Sequence, residues 1–499
     1  MNKLSEVRNK ITDFVNNSKE YRHLAVFVAA LYPFFQYYSN NIAEATSWQQ
    51  FLFISGLCFV LPQMVLWFWA YCKKLKIFKP IKERGLSILN VVIFFGLIGF
   101  LVLNLNKKML LLTLIVATIL GFFLVKYLKK IMIIQLIVAT TSMVSLVPKL
   151  LFQLRHDNAT WAKLSEEELN TKLLKTPNIF VIQPDGYANF SEMNQPPYSF
   201  DNSGFEAWLS ASGFINYRGF RSNYHSTNIS NSSMFAMQHH FYSNTKPETL
   251  KTYDANEVII GKYNNVLKIL KHNKYRSHLI TDNSYFLIDR KTSYYDYCNI
   301  DSNFISYHNS GAVKGADIIA DLTKVLDTLS ATNSFFFIEK TLPSHIAYYK
   351  SDTKGKENER LDYLHRVGLA NEWIKSLINK INKFDKQALI IIVADHGGYV
   401  SLDSASEIPD RKMTQVEAQS IFSSLLSIKW PKDCNSVDIN YKSNVNLFRK
   451  VFYTLSGNED LLNNSKDNSS FLPLKEKGKT NYYRYIDNVG NFVFENISD

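Results

Sequence analysis

The sequence predicts a chain of two unlike parts: five membrane-spanning helices, then an exported α/β domain whose mostly parallel sheet is sandwiched between helices. Three observations predict it. A length of 499 residues exceeds what one compact domain usually holds. Residues 1–152 carry long apolar runs and, with seventeen Lys and Arg against five Asp and Glu, the whole formal net charge of +12. Residues 177–499 alternate short apolar runs with amphipathic stretches, the pattern of a sheet covered by helices. Averages hide the division: the hydrophobic content is 46% and the mean hydropathy −0.12, values typical of a soluble protein. Because the remaining residues balance their charges, the pI near 9.1 reports membrane topology and is no evidence for a nucleic-acid-binding face, and no nucleic-acid partner is expected.

The spans are expected at about 24–38, 50–72, 87–105, 109–127 and 131–152, since ~20 apolar residues cross a bilayer. The first is short and contains Pro33; alone it reads as a signal-peptide core, but four further spans oppose that. Orientation follows from the basic residues, which cytoplasmic loops retain. The N-terminal segment, the 73–86 loop and the 126–130 loop hold fourteen, whereas the alternate side holds only Lys107, Lys108 and Lys149. The N-terminus is therefore expected in the cytoplasm. An odd number of spans then exports everything after about residue 153, giving a multi-pass protein of a bacterial cytoplasmic membrane with its catalytic part periplasmic or extracellular. The expected division is a transmembrane part at 1–152, a juxtamembrane connector at 153–176 and a catalytic domain at 177–499. In the connector, Ser165 followed by Glu166, Glu167 and Glu168 marks a helix start. Cys298 and Cys434, the two exported cysteines, are compatible with one disulfide or with two separate thiols.

The expected strands are 178–182, 278–280, 335–338 and 388–394, all continuous apolar runs of the kind buried in parallel sheets. Ligands collect at the carboxyl ends of such strands. There the sequence places Asp185 in Pro-Asp-Gly, His345 in Thr-Leu-Pro-Ser-His, and Asp395-His396 before two glycines. An adjacent carboxylate and imidazole can ligate one divalent metal, whereas Pro-Asp-Gly alone is an ordinary turn. The hydroxyl cluster from Ser222 through Thr227 to Ser233 leads into an expected helix, where backbone amides favour developing negative charge. From the hydroxyls alone, simple helix capping is the favoured reading. Segment 444–452 is expected to be a helix on the sheet, and 472–499 short strands.

Taken in order, strand-Asp185-Gly-Tyr, Ser-Asn-Tyr-x-x-Thr227-x-x-Ser-x-x-Ser-Met, Pro-x-His345, Asp395-His396-Gly and Val445-Asn-Leu-Phe-Arg449 resemble the sulfatase-like branch of the alkaline phosphatase superfamily. Within it the chain looks like the membrane enzymes that include lipoteichoic acid synthases and phosphoethanolamine transferases. That resemblance implies a sulfatase-like fold and one divalent metal ion, Zn²⁺ or Mn²⁺, on Asp185, Thr227, Asp395 and His396. It further implies Thr227 as nucleophile and His345 at the transferring group. The implied function is transfer of a phosphoethanolamine- or phosphoglycerol-type group from a phospholipid donor to an envelope glycan or lipid through a phospho-threonine. Two departures stand out: Asp185 occupies a position where better-known transferases carry Glu, and no His follows His396, which weakens a two-metal site. Alternatives from other classes are a phosphodiesterase or sulfatase-like hydrolase and a non-catalytic glycan-binding module. Sulfate-ester hydrolysis is disfavoured, because the Thr227 window lacks the Cys/Ser-x-Pro-x-Arg pattern.

Overall fold

The computed structural model describes residues 2–42, 47–76, 81–155, 160–240, 255–288, 293–301, 305, 307, 316–329, 333–434 and 439–497. The chain divides into an N-terminal unit, Met1–Asp157 with Ser306–Gly311, and a C-terminal unit made of the rest.

The N-terminal unit consists of helices α1 (Asn2–Asn16), α2 (Arg22–Asn41), α3 (Trp48–Cys72), α4 (Gly85–Val102), α5 (Lys107–Phe123) and α6 (Leu128–Arg155). Three helical segments, Trp48–Cys72, Gly85–Val102 and Val125–Leu151, are long and apolar enough to cross a membrane. The other two expected spans fall in α2 and α5, both helical but short of that standard. In α2 the apolar run is diluted by Arg22 and His23 at one end and Gln36, Asn40 and Asn41 at the other. α5 is 17 residues long. Inside the bundle, the Asn90 and Gln135 amides exchange hydrogen bonds at 3.0 Å, and Asn90 Nδ2 also donates to the Ala25 carbonyl at 2.7 Å, tying α2, α4 and α6 through buried polar groups.

The C-terminal unit is built on a seven-stranded sheet of order β2-β7-β6-β1-β5-β3-β4. Its strands are β1 (Ile179–Pro184), β2 (Ile215–Asn216), β3 (Arg276–Thr281), β4 (Tyr297–Cys298), β5 (Ser334–Lys340), β6 (Leu389–Val393) and β7 (Leu426–Lys429). β6, β1, β5, β3 and β4 run parallel; β7 is antiparallel to both its neighbours. The four expected strands are therefore the four central ones. Alternate residues of each strand feed two cores, which is why the strands read as unbroken apolar runs. Phe180, Ile182, Phe336, Ile338, Ile390 and Ile392 pack against helix α9 (Lys356–Phe384) on one face. That helix presents Tyr363, Val367, Ala370, Ile374, Leu377 and Ile381 at helical spacing. On the other face, Val181, Phe335, Phe337 and Ile391 meet Met234 and Phe235 of α8 (Thr227–Ala236) and Phe448 and Val451 of α10 (Leu447–Ser456). Before β1 the C-terminal unit contains α7 (Glu166–Leu169), started by a capping box between Ser165 and Glu168. A separate antiparallel sheet, β8 (Ser470–Glu476), β9 (Lys479–Ile486) and β10 (Phe492–Asn496), follows α10. All four cysteines are free, and the aromatic residues Trp161, Tyr187 and Tyr224 are buried as packing groups.

Candidate metal centre

Asp185 leaves the end of β1, where its backbone N–H donates to the Lys340 carbonyl of β5 at 3.0 Å. Gly186 has φ +68°, and a Cβ there would lie 2.7 Å from the Ser344 carbonyl oxygen, so this turn needs glycine. Asp395 and His396 follow β6. There the Gly397 backbone sits so close to the Ser420 carbonyl that a Cβ would come within 2.2 Å of it. Thr227 is the first residue of α8, preceded by an extended Ser226.

These turns bring four donor atoms together. Thr227 Oγ1 lies 3.3 Å from Asp185 Oδ1 and 3.3 Å from His396 Nε2. His396 Nε2 lies 3.5 Å from Asp185 Oδ1 and 3.2 Å from Asp395 Oδ2. Asp185, Asp395 and His396 are 6%, 0% and 1% exposed. The protonation pattern shows what is missing. His396 Nδ1 contacts the Gly397 carbonyl at 2.9 Å, which places a proton on Nδ1 and turns Nε2 toward the carboxylates. Asp395 Oδ1 accepts from the Gly186 N–H at 3.1 Å, while its Oδ2 is buried with no hydrogen-bond partner. Acceptors thus face acceptors, an arrangement stable only with a cation or shared protons among them. The contacts of 3.2–3.5 Å among these oxygen and nitrogen donors are close enough for one small divalent ion to reach all of them. The group fits one divalent metal ion. Burial, reinforced by the Asp395 charge, pushes the Asp185 carboxyl up to about 7, the electrostatic strain such an ion relieves.

His345 reaches the same locality: its ring stacks on Tyr399 at 5.0 Å and lies 5.8 Å from the His396 ring, while Tyr399 also stacks on His396 at 4.9 Å. Its Nδ1 contacts the Ile346 carbonyl at 2.5 Å, and burial, aided by His396, lowers its pKa to about 4, favouring neutral imidazole. Arg366 of α9 fixes this loop by donating to the Pro343 and His345 carbonyls at 2.7 and 3.0 Å. All five site residues expected from the sequence therefore converge.

Several supporting residues were not expected. Gln183 and Asn231 exchange two buried hydrogen bonds of 2.7 and 2.8 Å, locking α8 to β1. Ser230 Oγ donates to the Asp395 carbonyl at 2.6 Å, and Asn444 Nδ2 reaches the same carbonyl at 3.2 Å and Ser230 Oγ at 3.1 Å. The segment before α10, read from sequence as supporting the fold, thus braces the metal-ligand turn. His225 has a buried Nδ1 without a partner, and burial and His396 hold its pKa at about 4; its place two residues before Thr227 was the only sequence clue to it.

Residues 178–470 match the sulfatase family. A comparison with curated proteins finds no match. Among solved structures, the chain is similar to the C-terminal periplasmic domain of EcEptC from Escherichia coli, with 13% identity, TM-score 0.41, 60% of this chain and 91% of that one covered. It is also similar to the integral membrane lipooligosaccharide phosphoethanolamine transferase A from Neisseria meningitidis, with 12% identity, TM-score 0.42 and coverages of 74% and 75%. A third likeness is to the lipoteichoic acid synthase LtaP from Listeria monocytogenes, with 11% identity, TM-score 0.42 and coverages of 68% and 91%. The family match takes in more than half of the chain and encloses Asp185, Thr227, His345, Asp395 and His396, so this chain belongs to the sulfatase family of the alkaline phosphatase superfamily.

Proposed function

We propose that this protein is a membrane-anchored, metal-dependent phosphotransferase. It moves a phosphoethanolamine- or phosphoglycerol-type group from a phospholipid to an envelope glycan or lipid through a phospho-threonine on Thr227. The observation that carries this reading is the hydroxyl of Thr227, 3.3 Å from both a carboxylate oxygen and an imidazole nitrogen of the buried cluster. Nothing about helix capping requires a threonine to face metal-ligating atoms, and Ser226, the residue before it, makes no side-chain cap.

The residues that hold the ion are Asp185, Thr227, Asp395 and His396; their nitrogen and oxygen donors suit Zn²⁺ or Mn²⁺. When bound, a divalent cation here lowers the pKa of the threonine hydroxyl and offsets charge on the phosphoryl oxygens. Thr227 Oγ1 attacks phosphorus, a new P–O bond forms, and the bond to the diacylglycerol oxygen breaks. His345, neutral and with Nδ1 committed to a carbonyl, offers Nε2 to take the proton that Thr227 gives up and pass it to the diacylglycerol oxygen, which leaves as diacylglycerol. In the second step the same Nε2 accepts the proton of the incoming acceptor hydroxyl, which attacks phosphorus; the bond to Thr227 breaks and the proton returns to Thr227 Oγ1. Sulfate-ester chemistry is not supported: the window around Thr227 has neither the Pro nor the Arg of the Cys/Ser-x-Pro-x-Arg pattern.

The membrane half explains why transfer is favoured over scavenging. α2 and α5 join the three more apolar helical segments as spans, the fourteen basic residues stay in the cytoplasm, and the domain from residue 177 is outside. Tethering keeps the site at the height of the donor head groups, replacing a three-dimensional search with a planar one. The test uses the full chain in vesicles with head-group- and tail-labelled phospholipid plus an envelope extract. Diacylglycerol and labelled acceptor in equal amounts are expected. Diacylglycerol with only a free labelled head group makes the protein a hydrolase, and no diacylglycerol refutes the reading.

A further inference from the structure

The N-terminal unit contains a cavity of about 250 Å³ whose lining includes Lys19, Lys126, Lys129 and Lys130, with Glu20 and Glu83 the only carboxylates among its described lining residues. Glu20 is spent on Arg22 at 2.7 Å. Among the described residues, none of the four lysines has a carboxylate within ion-pair distance. They are gathered by other means. Lys129 donates to the Asn17 carbonyl and, at 2.8 Å, to Asn17 Oδ1. Aromatic faces hold the cations without neutralising them: Lys129 lies 5.8 Å from the Phe14 ring, Lys19 5.4 Å from Tyr21, and Lys130 5.9 Å from Tyr127.

The backbone adds to this positive field. Residues lining the cavity precede or open α2, α4 and α6 and also close α1 and follow α5, so three positive and two negative helix ends meet at it, a small net positive contribution. Neither Tyr21 before α2 nor Arg84 before α4 caps its helix with a side chain. The floor is apolar, because Ala25 and Met132 are buried there in a cluster with Leu86 and Leu128 packed against it. A basic mouth over an apolar floor, at the ends of membrane helices, matches an amphiphile with a phosphate. The volume lies just below the ~300–1,000 Å³ of sites for whole small molecules, so it suits a head group whose tails lie outside.

We propose that this cavity binds the phosphate-bearing head group of an anionic phospholipid. α6 starts at the cavity and rises about 42 Å over its 28 residues before the chain leaves the unit, more than the ~30 Å hydrocarbon core. The bound lipid is therefore in the opposite leaflet from the donor used by Thr227, and serves to fix the helix ends rather than to react. Basic residues on this side are also what membrane insertion selects, so the test must separate a site from a diffuse charge.

The full chain is purified in nanodiscs of phosphatidylcholine containing a minor fraction of phosphatidylglycerol, and retained lipid is counted by native mass spectrometry. One phosphatidylglycerol per chain is expected. A triple variant, Lys19→Gln, Lys126→Gln and Lys130→Gln, is expected to bind on the order of a hundredfold more weakly, each lysine contributing about a factor of five. Removing the same charge outside the cavity, with Lys73→Gln, Lys74→Gln and Lys76→Gln, is expected to leave retention unchanged. The corresponding Lys→Arg triple variant keeps the charge and is expected to retain the lipid, which separates loss of the site from loss of fold. Equal losses from both Gln sets, no loss from either, or displacement of the lipid by inorganic phosphate alone would overturn the proposal.

Discussion

Two buried charge clusters in the C-terminal unit obey opposite rules. Glu168 and Arg449, 4% and 0% exposed, are matched: Arg449 pairs with Glu168 and donates twice to the Met237 carbonyl, at 3.1 and 2.9 Å. Although burial pushes Glu168 up, the Arg449 hydrogen bond and charge and the Ser165 cap hold it below the usual carboxylate range. Asp185, Asp395 and His396 are equally buried and have no Arg or Lys among them, and Oδ2 of Asp395 is buried without a hydrogen-bond partner. A buried charge with its counter-charge built in is architecture; one without it is a place for a ligand. The chain uses the first kind to brace the second, since Arg449 grips the carbonyl that ends the helix begun by Thr227.

The contrast breaks most visibly in activity. Asp395→Ala is expected to abolish both metal content and turnover. Thr227→Ala should lower turnover by on the order of 10⁴-fold or more while leaving metal stoichiometry near that of the parent, because three protein ligands remain. Elemental analysis beside diacylglycerol release checks both; undiminished turnover without Thr227 would show that the wrong hydroxyl has been assigned.

Stability should divide the clusters the other way. Arg449→Ala leaves Glu168 buried and unpaired and is expected to cost about 3–5 kcal/mol, read from denaturant melts of the full chain. Asp395→Asn, compared in metal-free protein, removes one of two crowded carboxylates and is expected to raise stability by about 1 kcal/mol while abolishing activity. Equal destabilisation by the two substitutions would erase the distinction drawn between them.

Much of the site was legible because its parts are local. Aliphatic runs announced the four central strands, and a strand end carrying Asp-His-Gly-Gly needs only chemistry to be noticed. What braces the site was not legible, because the partners are remote. Gln183 meets Asn231 across 48 positions, Ser230 meets the Asp395 carbonyl across 165, and Asn444 meets Ser230 across 214. An isolated Asn or Ser carries no mark of such a partner. β7 was missed because Leu426-Ser-Ile-Lys429 is too short and mixed to stand out, although it caps one side of the parallel strands. Three helical segments met the standard for a span, whereas α2 and α5 lost it to polar ends and to length.

Exposure sharpens the comparison further. Arg411 pairs with Glu417 at 2.7 Å and Glu407 at 2.9 Å while its own side chain is 41% exposed. Burial raises the Glu417 carboxyl, but the Arg411 hydrogen bonds and the Thr414 cap overcome that and hold it at about 2, against an ordinary 4.5. A depressed carboxyl stabilises the fold above its ordinary value and loses that contribution as pH falls from 4.5 toward 2. With solvent screening, Arg411→Gln is expected to cost about 1 kcal/mol at neutral pH. Thermal melts against pH should show the gap between parent and variant closing through that acid window; a constant gap would mean that packing, not charge, is lost.

The smallest effect is the most discriminating about chemistry. Ser230 is another hydroxyl close to these side chains, on the same helix as Thr227, but its Oγ is committed to the Asp395 carbonyl at 2.6 Å and accepts from Asn444 at 3.1 Å. It touches the backbone that carries the ligand and none of the atoms that face the ion. Ser230→Ala removes one buried hydrogen bond, worth about 1 kcal/mol, yet Asn444 Nδ2 still reaches the Asp395 carbonyl at 3.2 Å, so the turn keeps one donor. Turnover is therefore expected to fall by no more than about tenfold, with metal content unchanged. The substitution leaves Thr227 Oγ1 in place, so a loss comparable to that of Thr227→Ala would transfer the nucleophile's role to Ser230 and return Thr227 to its bland role as a helix's first residue.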